Sequence, residues 1–206
     1  MIIAVDGPTA SGKGTIAKAL AAHFGLPHMD TGLLYRAVGF EVCARGGDPD
    51  DAAAALAACN FAEELLGHPD LRSENTGGLA SRVSVHPDVR RALFVRQRAY
   101  ATQPGGAVLD GRDIGTVIAP EAEVKLFVTA SVEARALRRW LEMRERGESP
   151  SLELIEEHLA ERDARDRDRD DAPLRAADDA LLLDTSTLDR EESIARAIAL
   201  SESALR

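Results

Sequence analysis

The chain is short of lysine, of cysteine and of long apolar runs, and each shortage closes off a class of function. No run approaches the roughly 18 consecutive apolar residues of a membrane span, so no transmembrane segment is expected. An apolar stretch that reads as a strand already begins at Ile2. No signal peptide is therefore expected ahead of it, and the protein is expected to be soluble and cytoplasmic. The two cysteines, Cys43 and Cys59, lack C-x-x-C spacing and read as buried, reduced thiols. His23, His28, His68, His86 and His158 show no metal-ligand spacing. A net charge of −10 excludes a protein that coats nucleic acid. Of the 25 basic residues only 3 are lysine. A GC-rich genome enriches arginine without functional meaning, but planar guanidinium groups are also the better phosphate clamps, so position must decide which arginines matter. A length of 206 residues with 45% hydrophobic content suits one α/β domain with a real core.

What is present is a glycine-rich segment, Gly7-Pro8-Thr9-Ala10-Ser11-Gly12-Lys13-Gly14-Thr15. It follows the apolar run Ile2-Ile3-Ala4-Val5-Asp6 and precedes a segment of helical period. Strand, loop and helix in that order are the context of a phosphate-binding P-loop. Backbone N–H groups of such a loop turn inward around phosphate oxygens, and the helix start adds its positive end. Lys13 can set an ammonium on the outer phosphates of ATP, and the Thr15 hydroxyl can reach Mg²⁺. The general pattern asks for Ser or Thr at position 14, which is Gly14; the hydroxyl comes one residue later. That variant is similar to the loops of small nucleotide kinases.

Further along, residues 13–24, 31–45, 50–66 (capped by Asp50), 87–102, 131–146, a charged segment to about 170, and 189–203 read as helices. Short strands are expected at 27–30, 107–110, 124–128 and 181–184, and a turn-rich boundary at 68–78. Strands alternating with helices predict an α/β fold with a five-stranded parallel sheet flanked by helices, its site at the carboxyl ends of the strands. Asp30, Asp110, Thr129 and Asp184 fall there. An aspartate in that place is a turn former unless a partner claims it.

Three segments carry possible chemistry. In Asp30-Thr31-Gly32-Leu33-Leu34-Tyr35-Arg36, Thr31 sits at a helix N-cap, and Arg36 is either a surface residue or a grip for a second phosphate. In Asp110-Gly111-Arg112-Asp113-Ile114-Gly115, the glycines allow close backbone approach. Arg112 and Asp113 then either pair with each other in a tight turn or face a cleft. A carboxylate only accepts hydrogen bonds, so Asp113 suits the exocyclic amine of cytosine and repels the O4 acceptor of uracil. Residues 161–171 carry four arginines against six acids; as a helix, they place Arg162, Arg165, Asp166 and Arg169 on one face. Such a run is either a solvated charged helix or the base of a mobile lid that closes cations around a phosphoryl group, with the break at Gly147-Glu148-Ser149-Pro150 before it.

Together these pieces resemble the bacterial cytidylate kinases, within the P-loop nucleoside monophosphate kinases. The likeness rests on the phosphate loop, Asp30-Thr31-Gly32 with Tyr35-Arg36, Val89-Arg90-Arg91-Ala92-Leu93 with Arg96-Gln97-Arg98, Asp110 to Thr116, and Glu161-Arg162-Asp163 with Arg167-Asp168-Arg169, in family order. The resemblance implies a core (1–30, 104–138 and 171–206), a monophosphate-binding region (31–103) and a short lid with its base (139–170). It implies γ-phosphoryl transfer from Mg·ATP to CMP or dCMP, within pyrimidine nucleotide metabolism. By resemblance, Lys13 and the loop 7–15 hold ATP, and Arg36, Arg112 and Arg169 hold the acceptor's phosphate. Ser81, Arg90 and Asp113 then read cytosine, Arg162 and Asp166 hold the ribose, and Thr31 lies beside the acceptor. Arg165, with Arg167, covers the transferred group. The attacking oxygen already belongs to a phosphate, so no general base is required, and no convincing His or Glu base is seen. The region between residues 66 and 71 is shorter than the family often has. Other readings are a kinase of AMP or shikimate, or a nucleotide-binding switch. A monomer without membrane or nucleic-acid partners is expected.

Overall fold

A computed structural model describes residues 1–206. The chain divides into two compact units, Met1–Met29 with Ala101–Arg206, and Asp30–Tyr100. Five parallel strands, β1 (Ile2–Asp6), β2 (His28–Asp30), β3 (Ala107–Gly111), β4 (Val124–Thr129) and β5 (Leu181–Asp184), form one sheet in the order β2-β3-β1-β4-β5. The first strand is central: Ile3 sits beside Val108 on one flank and Val124 on the other. Both faces of β1 are covered, which is why it reads as an unbroken apolar run rather than an alternating one.

In the first unit, α1 (Lys13–Phe24) follows β1, and α6 (Val132–Glu145), α7 (Leu152–Asp168) and α8 (Arg190–Ala204) follow later. Ile3, Val5, Val108, Leu126, Val128 and Leu183 of the sheet pack with Ile16 and Leu20 of α1 and Ala197 of α8. Fully burying side chains of this size contributes about 1.5–3 kcal/mol each. The helix starts have chemical causes. Ser131 accepts from Ala134 N (3.2 Å) ahead of α6, and Asp189 and Glu192 form a reciprocal capping box ahead of α8. No helix is long and apolar enough to cross a membrane.

The second unit holds α2 (Gly32–Ala44), α3 (Ala52–Ala57), α4 (Glu74–Val83) and α5 (Pro87–Ala101), with two short 3₁₀ turns at Glu63–Gly67 and Pro69–Arg72. Two sequence expectations fail here. The helix expected over 50–66 is only the six residues of α3, and its cap is Asp51, which accepts from Ala53 N at 2.8 Å; Asp50 instead accepts from Arg82. The turn-rich boundary expected over 68–78 contains the start of α4, capped by Ser73. Gly77 and Gly78 suggested a turn, but a Cβ at Gly77 would sit 2.9 Å from Arg36 Nη2, so that glycine makes room for a guanidinium inside a helix. Gly39 plays the matching part on α2, where a Cβ would lie 2.7 Å from Leu79 Cβ. Cys43 is also misjudged, being exposed, while Cys59 is partly buried and both are free thiols.

Candidate active site

The strand β1 ends on Asp6, and the chain then turns through Gly7 at φ 154°. A Cβ at Gly7 would lie 2.0 Å from the Val128 carbonyl oxygen, so only glycine fits this close approach. Ala10 at φ 61° and Gly12 at φ 86° complete a loop of left-handed turns that delivers the chain into α1. No side chain caps α1, so its leading N–H groups keep the arrangement that suits an anion. Lys13 folds back over the loop and donates to Pro8 O at 3.3 Å. Ser11 is fully buried, its hydroxyl has no hydrogen-bond partner, and its carbonyl accepts from Thr185 Oγ1 at 3.1 Å.

Beyond β3 the chain makes one π-turn over Ile114–Ile118, with Ile118 N donating to Asp113 O (3.1 Å) and Ala119 N to Ile114 O (2.7 Å). Asp6 fixes it: its two oxygens accept from Ile114 N (2.8 Å) and Gly115 N (2.7 Å). Burial is the main influence on that carboxyl and pushes its pKa up to about 7, against the downward pull of those two bonds. Gly115 keeps the approach uncrowded, since a Cβ there would lie 3.2 Å from Lys125 Cδ and 3.4 Å from Asp6 Oδ2. Asp110 near the end of β3 has a partner, His28 Nε2 at 2.8 Å, whereas Asp184 at the end of β5 forms the turn its type favours, accepting from Ser186 N.

Arg112 does not pair within its own turn. Its Nε donates to Asp166 Oδ2 (2.8 Å) and its Nη2 to Thr9 Oγ1 (2.5 Å). Burial opposes the charge on Arg112, but Asp166, with Asp110 and Asp163, more than offsets it and holds the pKa above the ordinary arginine value. Burial likewise opposes the Asp166 carboxylate, and Arg112, Arg162 and Arg169 together hold its pKa below the usual range. The structure thus brings Thr9, Arg112, Arg162, Asp166 and Arg169 to one place in this unit. The helix face expected for 162, 165, 166 and 169 forms only in part, with Arg162, Arg165 and Asp166 inside α7 and Arg169 beyond its end. Helix α7 stops at Asp168, Arg169 is extended at ψ 142° with its Nε donating to Ala172 O (2.7 Å), and Arg165 is exposed while Asp166 is buried.

In the second unit, Arg36 donates through Nη1 to the carbonyls of Leu71 and Ser73, both at 2.8 Å. It therefore holds together the turn that starts α4. Thr31 occupies the N-cap position of α2, though its side chain makes no capping bond. Arg90 lies over the Tyr35 ring, 5.8 Å from its centroid, and reaches Ser84 O at 3.4 Å; Ser84 Oγ in turn donates to Ser81 O at 3.0 Å. Ser81 is buried and its hydroxyl has no hydrogen-bond partner. Sequence reasoning missed Asp6, hidden in the run read as strand, and Arg135 with Asp163, which look like any other members of two charge-rich helices.

A P-loop at the carboxyl end of a parallel sheet, with arginines paired to carboxylates beside it, defines an α/β phosphotransferase of the P-loop kinase class. The comparisons with known proteins specify it further. Residues 3–203 match the family model described as cytidylate kinase. The chain is 57% identical over 196 residues to a cytidylate kinase of Cereibacter sphaeroides, covering 95% of this chain and 92% of that one. It is 53% identical over 205 residues to a cytidylate kinase of Methylocella silvestris, covering 99% and 95%. A crystal structure of an uncharacterized protein from Eubacterium ventriosum shares the fold, with a TM-score of 0.59 at 16% identity over 98% of this chain and 99% of that one. The chain belongs to the cytidylate kinase family.

Proposed function

We infer that the protein transfers the γ-phosphoryl group of ATP to CMP or dCMP, giving ADP and CDP or dCDP. Family membership along almost the whole chain carries this reading and favours it over AMP or shikimate as acceptor. The residue roles below are proposals. The loop 7–15 and the start of α1 bind the donor phosphates, with Lys13 swinging from Pro8 O onto their outer oxygens. The buried, unpartnered Ser11 hydroxyl marks a polar surface made for a ligand. Mg²⁺ is commonly held by one or two protein groups plus substrate phosphates and needs no all-protein cage. Thr15 fits that role, as does the Asp110 carboxylate, which would lie 3.7 Å from a Cβ at Gly14 of the loop. When bound, the ion supplies positive charge across the outer phosphates.

Arg36, Arg112 and Arg169 hold the acceptor's phosphate, and Arg162 and Asp166 its ribose. Asp113, Ser81 and Arg90 read the cytosine, with Thr31 beside the nucleotide. A buried serine hydroxyl without partner is what a base reader looks like before its base arrives, which supports Ser81. Arg165 and Arg167, exposed on α7, cover the transferred group. The acceptor oxygen is already an ionised phosphate oxygen, so the protein positions and neutralises rather than removing a proton. Residues 31–103 serve as the monophosphate-binding region and 139–170 as the lid and its base. The protein works in the cytoplasm as a monomer. Mixing γ-labelled ATP, Mg²⁺ and CMP and resolving the products tests the reading: label in CDP supports it, and label retained in ATP or released as phosphate contradicts it.

A further inference from the structure

Thr9 is held from two sides by two arginines, and each arginine is paired to a carboxylate of α7. Arg112 donates to the Thr9 hydroxyl and to Asp166. Arg135, on α6, donates through Nη1 to the Thr9 carbonyl at 3.2 Å and grips Asp163 with two bonds of 3.1 and 2.5 Å. Asp163 and Asp166 stand three residues apart near the end of α7, so both relays converge on one stretch of helix. Ala10, the next residue of the loop, is a non-glycine residue at φ 61°. A conformation of that kind persists only where its surroundings enforce it.

The two arms are not equivalent. Arg135 is 2% exposed and has a further bond from Nε to Ala130 O at 3.0 Å. Four of its five N–H donors are thereby committed to protein acceptors, which leaves it unsuited to bind substrate phosphate. Arg112 is less enclosed and, on the function proposed above, exchanges these partners for the acceptor's phosphate. We propose that Arg135 and Asp163 are positioning residues for the donor: acting through the Thr9 carbonyl, they keep the phosphate loop fixed to the base of α7 while Arg112 changes partners. This inference rests on the kinase reading for the donor held by the loop and for the role given to Arg112. The tether to Thr9 stands on the bonds themselves.

The test is the double variant Arg135→Met with Asp163→Leu. It removes both charges of a buried pair together and so leaves neither stranded. The expected result is a folded protein whose KM for ATP rises about tenfold while the KM for CMP stays within about twofold. Calorimetric binding of a non-hydrolysable ATP analogue, with no acceptor present, weakens by the same factor. An ATP KM close to wild type in the folded double variant overturns the proposal, as does an equal rise in both KM values. If the double variant does not fold, Asp163→Asn keeps the size and one acceptor oxygen; analogue binding about threefold weaker supports the tether, and unchanged binding overturns it. Wild-type enzyme inactive on CMP but binding the analogue would refute the acceptor assignment and not this one.

Discussion

Replacing Asp6 by asparagine converts a buried titrating group into a neutral one of the same shape. In the folded protein the Asp6 carboxyl is pushed from 3.8 up to about 7, chiefly by burial and in smaller part by the nearby Asp113, against the bonds from Gly115 N and Ile114 N and the charge on Arg112. Between those values the folded state keeps a proton that the unfolded chain has released. Stability from this group is therefore complete below the unfolded value and is lost as pH rises toward 7. The slope is about 1.4 kcal/mol per pH unit, and the sum over about three units is about 4 kcal/mol. In Asp6→Asn that slope is absent. The amide keeps one acceptor for the π-turn and sets an NH₂ against the second N–H, a pH-independent cost of about 1–3 kcal/mol. Urea unfolding of both proteins, in steps from pH 4 to pH 8, reads the difference directly. Wild type should have its largest advantage at the acid end and lose it as pH approaches 7, flattening above. Parallel stability curves across that range would refute a buried, proton-holding Asp6.

Three other substitutions address the site. Lys13→Ala should lower kcat by about a hundredfold or more with little change in melting temperature, because the lysine acts on charge at the donor rather than in the core; near-normal turnover would remove the phosphate-loop assignment. Asp113→Ala should erase most of the preference for CMP over UMP, by about a hundredfold in the ratio of kcat/KM, since a buried amine loses its acceptor. An unchanged ratio would show that another group reads the base. Gly77→Ala should raise the KM for CMP several-fold, because the new Cβ lies 2.9 Å from Arg36 Nη2. Helix propensity alone predicts about 1 kcal/mol of added stability and no kinetic change, so steady-state kinetics beside thermal melts separate the two.

The parts of the fold legible in the sequence are those whose signal is local. β1 with the loop after it, the helices starting at Ser131 and Asp189, and the break at Gly147 each follow from residues close together in the chain, and the structure has them where expected. α4 was illegible because the reason for Gly77 lies 41 residues earlier, at Arg36. The end of α7 was illegible for a similar reason. Arg169 leaves the helix while Leu174 N returns to Asp166 O at 2.7 Å, a contact no periodicity encodes. At the site, the residue types at 112, 113, 162 and 166 were visible, but the partner of Arg112 was not. Sequence offered Asp113, the immediate neighbour, and the fold supplied Asp166, which is 54 residues away. Asp6 and Arg135 illustrate the remaining limit: a charge placed among apolar or equally charged neighbours carries no local mark of the bonds it will make.

Cytosine-specific phosphoryl transfer is tested by ADP formation from Mg·ATP with CMP, dCMP, UMP, AMP and GMP supplied one at a time. Rapid turnover is expected with CMP and dCMP, weaker turnover with UMP and none above background with the purines. Turnover fastest on a purine monophosphate, or independent of any acceptor, would contradict it.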